Sequence, residues 1–337
     1  MKILVTGGTG YIGSHTVLQL LDNDYEVIVI DNLSNSKIDV VDKIKKIAGK
    51  DFAFIKGDVR DYELLKGIFK CNDIKAVIHF AGSKAVGESV EKPIEYYENN
   101  VGSTINLIKV MKEFNCKKII FSSSATVYGV PKKLPLIETM PLSTTNPYGT
   151  TKLVNEWMLS DLYNSDNNWS VVLLRYFNPI GSEKNGLLGE DPNDIPNNLM
   201  PYIVRVATGE LECLNVFGND YPTHDGTGVR DYIHVVDLAR GHIDSLKCGN
   251  GLHIYNLGTG KGYSVLDLVH TFENVNGVHI NFKIVGRRAG DVAECYADPS
   301  KAYNELGWKA VLGIDDMCRD SYNFIVNRNK HKENKCK

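Results

Sequence analysis

The chain has 337 residues, of which 43% are hydrophobic and 23% are charged, and its formal net charge at pH 7 is −3. This is the composition of a soluble globular protein, long enough for a large core and two domains. The near-neutral charge balance excludes a basic surface for nucleic acid or for an anionic membrane. No apolar stretch reaches membrane-spanning length. Because of this and of the charge balance, neither a nucleic acid nor a membrane is expected as a partner.

Cysteine usage indicates the compartment. The seven cysteines are Cys71, Cys116, Cys213, Cys248, Cys295, Cys318 and Cys336. They are odd in number and lack C-x-x-C spacing, which argues against a disulfide framework and against a zinc site. The chain also reaches a glycine-rich stretch too early for a secretory signal. We therefore expect a cytoplasmic protein with no bound metal.

The N-terminus predicts a dinucleotide-binding turn. Lys2–Thr6 is a short apolar strand, and glycines follow it at Gly7, Gly10 and Gly13. Such glycines allow a tight turn, close approach of the backbone to a diphosphate and close helix–strand packing. The next helix offers its free N–H groups to the anion. Its apolar positions are Val17, Leu18, Leu20 and Leu21.

An acidic residue after the second strand indicates which dinucleotide binds. The strand Val27–Ile30 ends on Asp31, eighteen residues after Gly13. A carboxylate there hydrogen-bonds a ribose diol and repels a 2′-phosphate, which favours NAD over NADP. The alternative is an aspartate that caps the following turn. With the glycines before it, NAD binding is the preferred interpretation.

Strands and helices continue to alternate. Strands are expected at Phe52–Lys56, Ala76–Phe80, Lys118–Phe121 and Val171–Arg175, and one long helix at Pro93–Phe114. This pattern predicts an α/β fold with a doubly wound parallel sheet. Ligands bind such sheets beyond the carboxyl ends of the strands. The residues expected at those ends are Gly7, Asp31, Asp58, Gly82 and Ser124.

A tyrosine and a lysine follow the serine-rich strand. Pro147 predicts the start of a helix, so Tyr148 and Lys152 share one face of its opening turns. A lysine ammonium beside a phenol lowers the phenol pKa from about 10 towards neutrality, which makes Tyr148 a proton acceptor. The alternative is a solvated lysine near a packing tyrosine. Ser124 is correspondingly either a loop hydroxyl or a group that orients the substrate.

These motifs in combination resemble the extended short-chain dehydrogenase/reductase family. The motifs are Gly7-x-x-Gly10-x-x-Gly13, the Ser124 region and Tyr148-x-x-x-Lys152. The resemblance runs from Met1 to about Trp308. Ser122–Gly129 and Leu174–Pro179 are similar to the branch that epimerises UDP-sugars at C4. Dehydratases of the family carry Thr-Asp-Glu where this chain has Ser-Ala-Thr, and alanine and threonine cannot supply the acid and base of elimination.

The resemblance implies a redox-neutral enzyme of galactose metabolism that interconverts UDP-glucose and UDP-galactose. Tyr148 removes the sugar O4 proton, with Lys152 as its stabilising cation and Ser124 as a relay, while hydride passes from C4 to tightly bound NAD and returns to the other face of a 4-keto sugar. A homodimer formed by the helices at Pro93–Phe114 and from Pro147 onward is also implied. The rivals are an NAD-dependent nucleotide-sugar dehydrogenase or reductase that releases NADH, and a non-catalytic NAD-binding sensor.

The resemblance also assigns binding residues. For NAD they are Gly7, Gly10, Tyr11, Ile12, Gly13, Asp31, Asn32, Asn35, Ser36, Asp58, Val59, Phe80, Ala81, Gly82, Lys84, Asn99, Ser122, Tyr148, Lys152 and Phe177. For the UDP-sugar they are Ser124, Asn178, Asn198, Leu199, Asn215, Val216, Phe217, Arg230, Arg288, Asp291 and Cys295. In this pattern the two asparagines 178 and 198 contact the diphosphate side.

Four of these residues are expected to hold the uridine diphosphate. Arg230 and Arg288 suit phosphate oxygens, because a guanidinium pairs with them at two points. A solvated surface arginine is the alternative. By resemblance, Phe217 lies beside the uracil and Asp291 accepts a hydrogen bond from the uridine ribose.

Cys295 is expected to widen the substrate range. Some family members have a tyrosine here that closes the space near the sugar C2, and a cysteine is much smaller. We therefore expect interconversion of UDP-GlcNAc and UDP-GalNAc as well. The alternative is a buried cysteine that only fills space.

The second half of the chain is less regular. A helix is expected from Asn197–Tyr202, a short strand and turn at Val216–Asp220, and a helix after Gly228–His234 with Val235, Val236, Leu238 and Ala239 on its apolar side. We divide the chain into an NAD-binding domain (1–177), a UDP-sugar-binding domain (178–326) with an interwoven boundary, and a polar basic tail (327–337) that is expected to fray.

Overall fold

A computed structural model describes residues 1–193, 198–288 and 290–335, with side chains as far as Lys330. The strands are β1 (Lys2–Thr6), β2 (Glu26–Asp31), β3 (Ala53–Lys56), β4 (Ile74–His79), β5 (Lys118–Ser124), β6 (Ser170–Tyr176), β7 (Asn178–Ile180), β8 (Leu214–Phe217), β9 (Val229–His234), β10 (Gly251–Leu257), β11 (Gly262–Ser264), β12 (Phe282–Val285) and β13 (Glu294–Cys295). The α-helices are α1 (Tyr11–Asp22), α2 (Asp39–Ala48), α3 (Tyr62–Cys71), α4 (Val86–Glu91), α5 (Pro93–Tyr97), α6 (Ser103–Glu113), α7 (Pro147–Ser165), α8 (Leu199–Ala207), α9 (Val235–Ser245), α10 (Val265–Asn276), α11 (Ser300–Leu306) and α12 (Ile314–Lys335).

The central sheet has seven parallel strands in the order β3-β2-β1-β4-β5-β6-β10. The predicted α/β fold with a doubly wound parallel sheet is therefore confirmed. The strand order reverses direction at β1, which lies between β2 and β4. A crevice forms at such a switch point, at the carboxyl ends of the strands.

The sheet is buried on both faces, as its continuous apolar strands require. Ile3, Leu4 and Val5 of β1 have no exposed surface. One core cluster joins the sheet to α1, α2 and α9, and the other joins it to α3, α6 and α7. These two layers fix the strand ends at which the predicted site residues lie.

The helix expected at Pro93–Phe114 contains a π-helical turn. α5 leads into the turn at Glu98–Gly102, and α6 continues from it to Glu113. A π-turn widens a helix locally and often occurs at functional sites. Here it carries Asn99 and Asn100, and Asn100 accepts from the Ser83 N–H at 2.7 Å and donates to the Ser83 carbonyl at 3.0 Å. The bulge therefore aims an asparagine at the loop that follows β4.

The second half of the chain forms two small sheets around a third core cluster. β9 is the centre of one, with β7, β11 and β13 as partners, and β8 pairs with β12 in the other. Helices α8, α10 and α12 complete this cluster. β10 pairs with β6 in the central sheet, so the second half of the chain also contributes a strand to that sheet. The division at residue 177 stays a prediction.

The C-terminal segment is helical as far as it is described. α12 continues to Lys335, and Arg328 pairs with Asp191 at 2.9 Å and with Glu210 at 3.2 Å. The expectation of a frayed tail from Asn327 is wrong for this part, because these ion pairs hold the helix against the body. Cys336 and Lys337 lie outside the described residues.

Two further points concern helices. α8 begins at Leu199 with Asn198 as its N-cap, whereas the expected start at Asn197 lies outside the described residues. Among the described helices, none combines the length and the apolar character that crossing a membrane requires.

Candidate active site

The glycine-rich turn is built for backbone contact with a ligand. Gly7 has φ +69°, and a Cβ there would lie 2.8 Å from the Ala81 nitrogen. A Cβ on Gly13 would lie 2.2 Å from the Gly7 carbonyl oxygen. No side chain caps α1 at Gly10, and the first N–H groups of a helix have no partners within it. The turn therefore presents bare peptide groups to an anion, as a dinucleotide site requires.

The Asp31 carboxylate links this turn to the loop after β2. It accepts from the Thr9 N–H at 3.1 Å, from the Leu33 N–H at 2.9 Å and from the Ser36 hydroxyl at 3.3 Å. The contact with Leu33 is the turn cap that the sequence left open as an alternative. The contact with Thr9 also ties the carboxylate to the glycine turn, and its binding of the ribose stays a prediction.

Asp58 lies at the end of the neighbouring strand. Two hydrogen bonds from the Arg60 guanidinium, at 2.7 and 3.0 Å, and one from Asn32 at 3.1 Å bind its carboxylate. These contacts, with Arg60 the largest, lower the pKa of Asp58 to about 2. Asn32 and Asp58, both predicted to bind NAD, are thus adjacent, while the side chain of Val59 is buried in the core.

The loop after β4 faces the π-turn. Asn99 donates to the Ser83 hydroxyl at 2.8 Å, and a Cβ on Gly82 would lie 3.0 Å from the Asn100 side chain. The Phe80 ring packs 4.7 Å from the ring of His242. Only small residues fit between β4 and the bulged helix, so a flat ligand is able to pass close to the backbone there.

The other predicted NAD residues are grouped on the same elements. Tyr11 and Ile12 begin α1, Asn35 and Ser36 follow β2, Ala81 follows β4, Ser122 is on β5 and Phe177 follows β6. These residues, which the resemblance assigned to NAD, therefore lie near the carboxyl edge of the sheet, and their contacts with NAD stay a prediction.

The helix predicted at Pro147 is confirmed as α7. The Asn146 side chain caps it by accepting from the Gly149 N–H at 2.8 Å, and Pro147 occupies its first turn. This cap satisfies an amide that the helix leaves free. Tyr148 and Lys152 consequently lie one turn apart on the face that meets β5.

Lys152 is buried, which rules out the solvated lysine considered as an alternative. Its Nζ donates to the Ser122 carbonyl at 2.8 Å and lies 5.9 Å from the centre of the Tyr148 ring. The Ser124 side chain lies close enough to the Tyr148 hydroxyl to lower its pKa. The predicted trio of Ser124, Tyr148 and Lys152 is therefore assembled at one place.

The Tyr148 pKa is shifted upward, opposite to the predicted direction. Burial raises the pKa of Tyr148, and the hydrogen bond from Ser124 only partly opposes it. Burial also lowers the pKa of Lys152, to about 8. Desolvation of the two buried side chains is the largest cause of both shifts.

A second group of predicted residues surrounds Asp291. The Arg288 guanidinium binds its carboxylate at two points, 3.0 and 3.1 Å, and lies 5.6 Å from the centre of the Phe217 ring. Arg230 Nη2 is 3.9 Å from the Asp291 carboxylate. Cys295 on β13 is the register partner of Arg230 on β9. Five residues predicted from separate segments are thus neighbours, and both arginines face an anion.

Cys295 is partly buried beside the catalytic turn. It packs with Val127 and Phe177, and burial raises the pKa of its thiol to about 11. The thiol is therefore protonated and unreactive at neutral pH. A role of Cys295 in substrate range through its size stays a prediction.

The remaining predicted substrate residues are more dispersed. Asn178 is on β7 opposite Tyr232, and Leu199 begins α8. Asn215 is exposed on the same face of β8 as Phe217, whereas Val216 points to the opposite face and packs in the core. The Val216 side chain therefore does not line the site.

The sequence analysis missed Glu190. Its carboxylate accepts from Lys84 at 3.0 Å and from Asn198 at 3.3 Å, so it joins a predicted NAD residue to a predicted substrate residue. Glu190 lies in an irregular loop with no periodic pattern around it. No signal in the sequence distinguished it from an exposed glutamate.

Comparisons with known proteins identify the family. UDP-glucose 4-epimerase from Bacillus subtilis is 57% identical over 327 residues, which cover 96% of this chain and 96% of that protein. The chain belongs to the UDP-glucose 4-epimerase family. The family model described as GDP-mannose 4,6 dehydratase matches residues 4–321 and places these epimerases in the wider extended family.

Two solved structures match over nearly the whole chain. UDP-glucose 4-epimerase from Bifidobacterium longum, in complex with NAD+ and UDP, is 55% identical with a TM-score of 0.95 and covers 98% of this chain and 99% of its own. The enzyme from Stenotrophomonas maltophila, with NAD and formylated UDP-arabinopyranose, is 45% identical with a TM-score of 0.96 and covers the same shares. The chain therefore shares the fold of these epimerases over nearly its whole length.

Proposed function

We propose that the chain interconverts UDP-glucose and UDP-galactose by inverting C4 of the sugar, with NAD retained through the cycle. The observation that carries this is the convergence of Ser124, Tyr148 and Lys152 beside the glycine turn. The family membership supports the same activity. No feature of the site favours a dehydrogenase or a non-catalytic sensor.

The residues present fit NAD. The turn at Gly7 and Gly13 leaves room only for backbone, which a diphosphate approaches closely. Asp31 is anchored where it meets a ribose diol, and Asn32 and Asp58 lie beside it. Bound NAD supplies the hydride acceptor, and then the hydride donor, for sugar C4.

Tyr148 accepts the O4 proton of the sugar, with Ser124 as the hydrogen-bonded relay. The C4–H electron pair leaves as hydride at the same time, so the product of this half-reaction is a 4-keto sugar and a protonated Tyr148. Because burial raises the Tyr148 pKa, the phenolate needs the Lys152 ammonium and the cationic nicotinamide together. The reverse transfer, to the opposite face, returns the proton from Tyr148 to O4.

The nucleotide is held while the sugar turns. Arg230 and Arg288 exchange part of their contact with Asp291 for the diphosphate oxygens, and Asp291 then accepts from the uridine ribose. Phe217, exposed at the rim, stacks on the uracil. Anchoring these groups leaves the keto sugar free to present its other face.

The activity is tested by incubating the purified protein with UDP-galactose without added NAD and separating the products. We expect UDP-glucose with no net NADH. Product that forms only with added NAD, together with stoichiometric NADH, would assign the chain to the dehydrogenases instead. Bound NAD without any conversion would favour the sensor.

The size of Cys295 is proposed to admit 2-acetamido sugars. We expect the wild type to interconvert UDP-GlcNAc and UDP-GalNAc, and Cys295→Tyr to lower kcat/KM for this pair by about 10- to 200-fold, the cost of a lost fit in a pocket. The UDP-galactose reaction should change little, and Cys295→Ala is the matched control that keeps both. Wild-type activity confined to the glucose pair would refute the proposal.

A homodimer is proposed through the helices that the sequence analysis selected. Ile94 on α5, Ile105 on α6 and Trp157 on α7 are 65%, 38% and 55% exposed, and exposed apolar patches mark association surfaces. We expect sedimentation to give a dimer and Trp157→Glu to give a folded monomer. Val130→Glu, at an equally exposed apolar residue on a loop, should leave the dimer intact. A wild-type monomer would contradict the proposal.

A reducing, cytoplasmic location is also proposed. The six cysteines among the described residues are free thiols, and Cys71 is exposed. Exposed free thiols persist where the compartment keeps cysteines reduced.

A further inference from the structure

A buried ion pair connects α7, the helix of Tyr148 and Lys152, to β6, which pairs with the strand that carries Ser124. Glu156 lies on α7 one turn after Lys152, and Arg175 lies on β6. Their side chains are 3% and 2% exposed, and Arg175 reaches Glu156 from Nε at 3.0 Å and from Nη2 at 2.7 Å. Glu156 also accepts a hydrogen bond from the hydroxyl of Ser123, the residue before Ser124. Neither charge takes part in the proposed reaction.

Arg175 also holds the far end of the turn that follows Ser124. Its Nη1 donates to the Tyr128 hydroxyl at 3.0 Å, and its guanidinium carbon lies 4.9 Å from the centre of the Tyr128 ring. Tyr128 is the last residue of the 3₁₀ turn Ala125–Tyr128. Ser124 therefore lies between two points, Ser123 and Tyr128, that the same ion pair anchors.

The network continues to the segment that carries Cys295. The Tyr128 hydroxyl donates to Asn256 Oδ1 at 2.7 Å, and Asn256 Nδ2 donates to the Leu136 carbonyl at 2.9 Å. The Leu136 N–H donates to the Tyr296 carbonyl at 2.9 Å, and Tyr296 follows Cys295. A continuous path thus joins the catalytic helix to the wall of the sugar pocket.

Burial of two charges is costly, and an apolar pair of similar volume is often as stable. Stability alone therefore does not account for Glu156 and Arg175. We propose that they are positioning residues, which fix the Ser124 hydroxyl against Tyr148 and align both with the Cys295 side of the pocket. This inference rests on the proposed epimerase function. A displacement of about 1 Å at a reacting group is enough to lower a rate about 100-fold.

The test replaces the ion pair without leaving an unpaired charge. The double variant Glu156→Leu, Arg175→Met is expected to fold and to retain NAD, with kcat reduced about 10- to 100-fold and KM little changed. The acid limb of its pH–kcat profile should move to higher pH, because the Ser124 hydrogen bond no longer opposes the burial-driven rise in the Tyr148 pKa. A variant with wild-type kcat and a wild-type profile would overturn the proposal.

The second test removes the Tyr128 hydroxyl alone. It decides on the positioning role if the double variant does not fold. Tyr128→Phe removes the link to Arg175 and Asn256 and keeps the ring. We expect the same alkaline shift and a loss of about three- to tenfold in kcat, the effect of one hydrogen bond. Tyr255→Phe is the matched control. It removes a hydrogen bond to Glu305, which lies outside the network, so kcat should not change.

The experiments separate a failure of the proposed function from a failure of the positioning role. An inactive wild type would remove the proposed function, whereas an active wild type with an unaltered Tyr128→Phe profile would remove only the positioning role.

Discussion

Tyr148→Phe is expected to lower kcat by about 10² to 10⁴, the range for loss of a general base. The phenol is the proposed proton acceptor, and phenylalanine fills the same buried space without a hydroxyl. Bound NAD, measured spectroscopically after denaturation, should stay at the wild-type level, because the ring still packs. KM for UDP-galactose should change little.

The matched control is Tyr163→Phe on the same helix. Tyr163 is partly buried against the core, fifteen residues after Tyr148 on α7, so its loss of a hydroxyl should leave kcat unaltered. Turnover of the Tyr148→Phe variant within a few-fold of wild type would show that another group takes the proton.

Gly13→Ala is expected to abolish stable NAD binding. The added Cβ would lie 2.2 Å from the Gly7 carbonyl oxygen and 2.9 Å from the Gly8 Cα, both backbone atoms. The first turn of α1 must therefore move away from β1, which opens the diphosphate cradle and costs about 1–3 kcal/mol of folding stability, as overpacking does. The measurements are NAD content per chain and the midpoint of thermal unfolding.

Gly67→Ala is the control for the backbone effect of the same substitution. Gly67 is within α3 and a Cβ there meets no atom within 4 Å. Alanine should stabilise this helix by up to about 1 kcal/mol and leave NAD content unchanged. A Gly13→Ala protein that retains one NAD per chain with wild-type stability would contradict the role given to the glycine turn.

The sequence predicted the first half of the fold well, because its signals are local. The strand that ends at Asp31 contains an uninterrupted apolar run. β5 was predicted over Lys118–Phe121, and it continues through three serines to Ser124. Glycines 7 and 13 mark close backbone approaches that no other residue permits. Pro147 predicted the start of α7 without tertiary information, and the structure adds the Asn146 cap.

The rest depended on contacts between distant segments. β10 joins the central sheet only because β6 offers its edge, and nothing in Gly251–Leu257 indicates that partner. The pKa of Tyr148 is set by burial, which the spacing of a tyrosine and a lysine does not reveal. The same holds for Arg175, whose pairing with Glu156 needs the folded positions of β6 and α7.

The central claim is that hydride leaves C4 and returns to the same carbon on the other face without passing to solvent. The direct measurement is conversion of UDP-galactose carrying deuterium at C4, with the product analysed by mass spectrometry and proton NMR. The account predicts UDP-glucose that keeps the deuterium at C4, with no label in water and no label at other carbons. Loss of the label to solvent, or its appearance at another position, would contradict it.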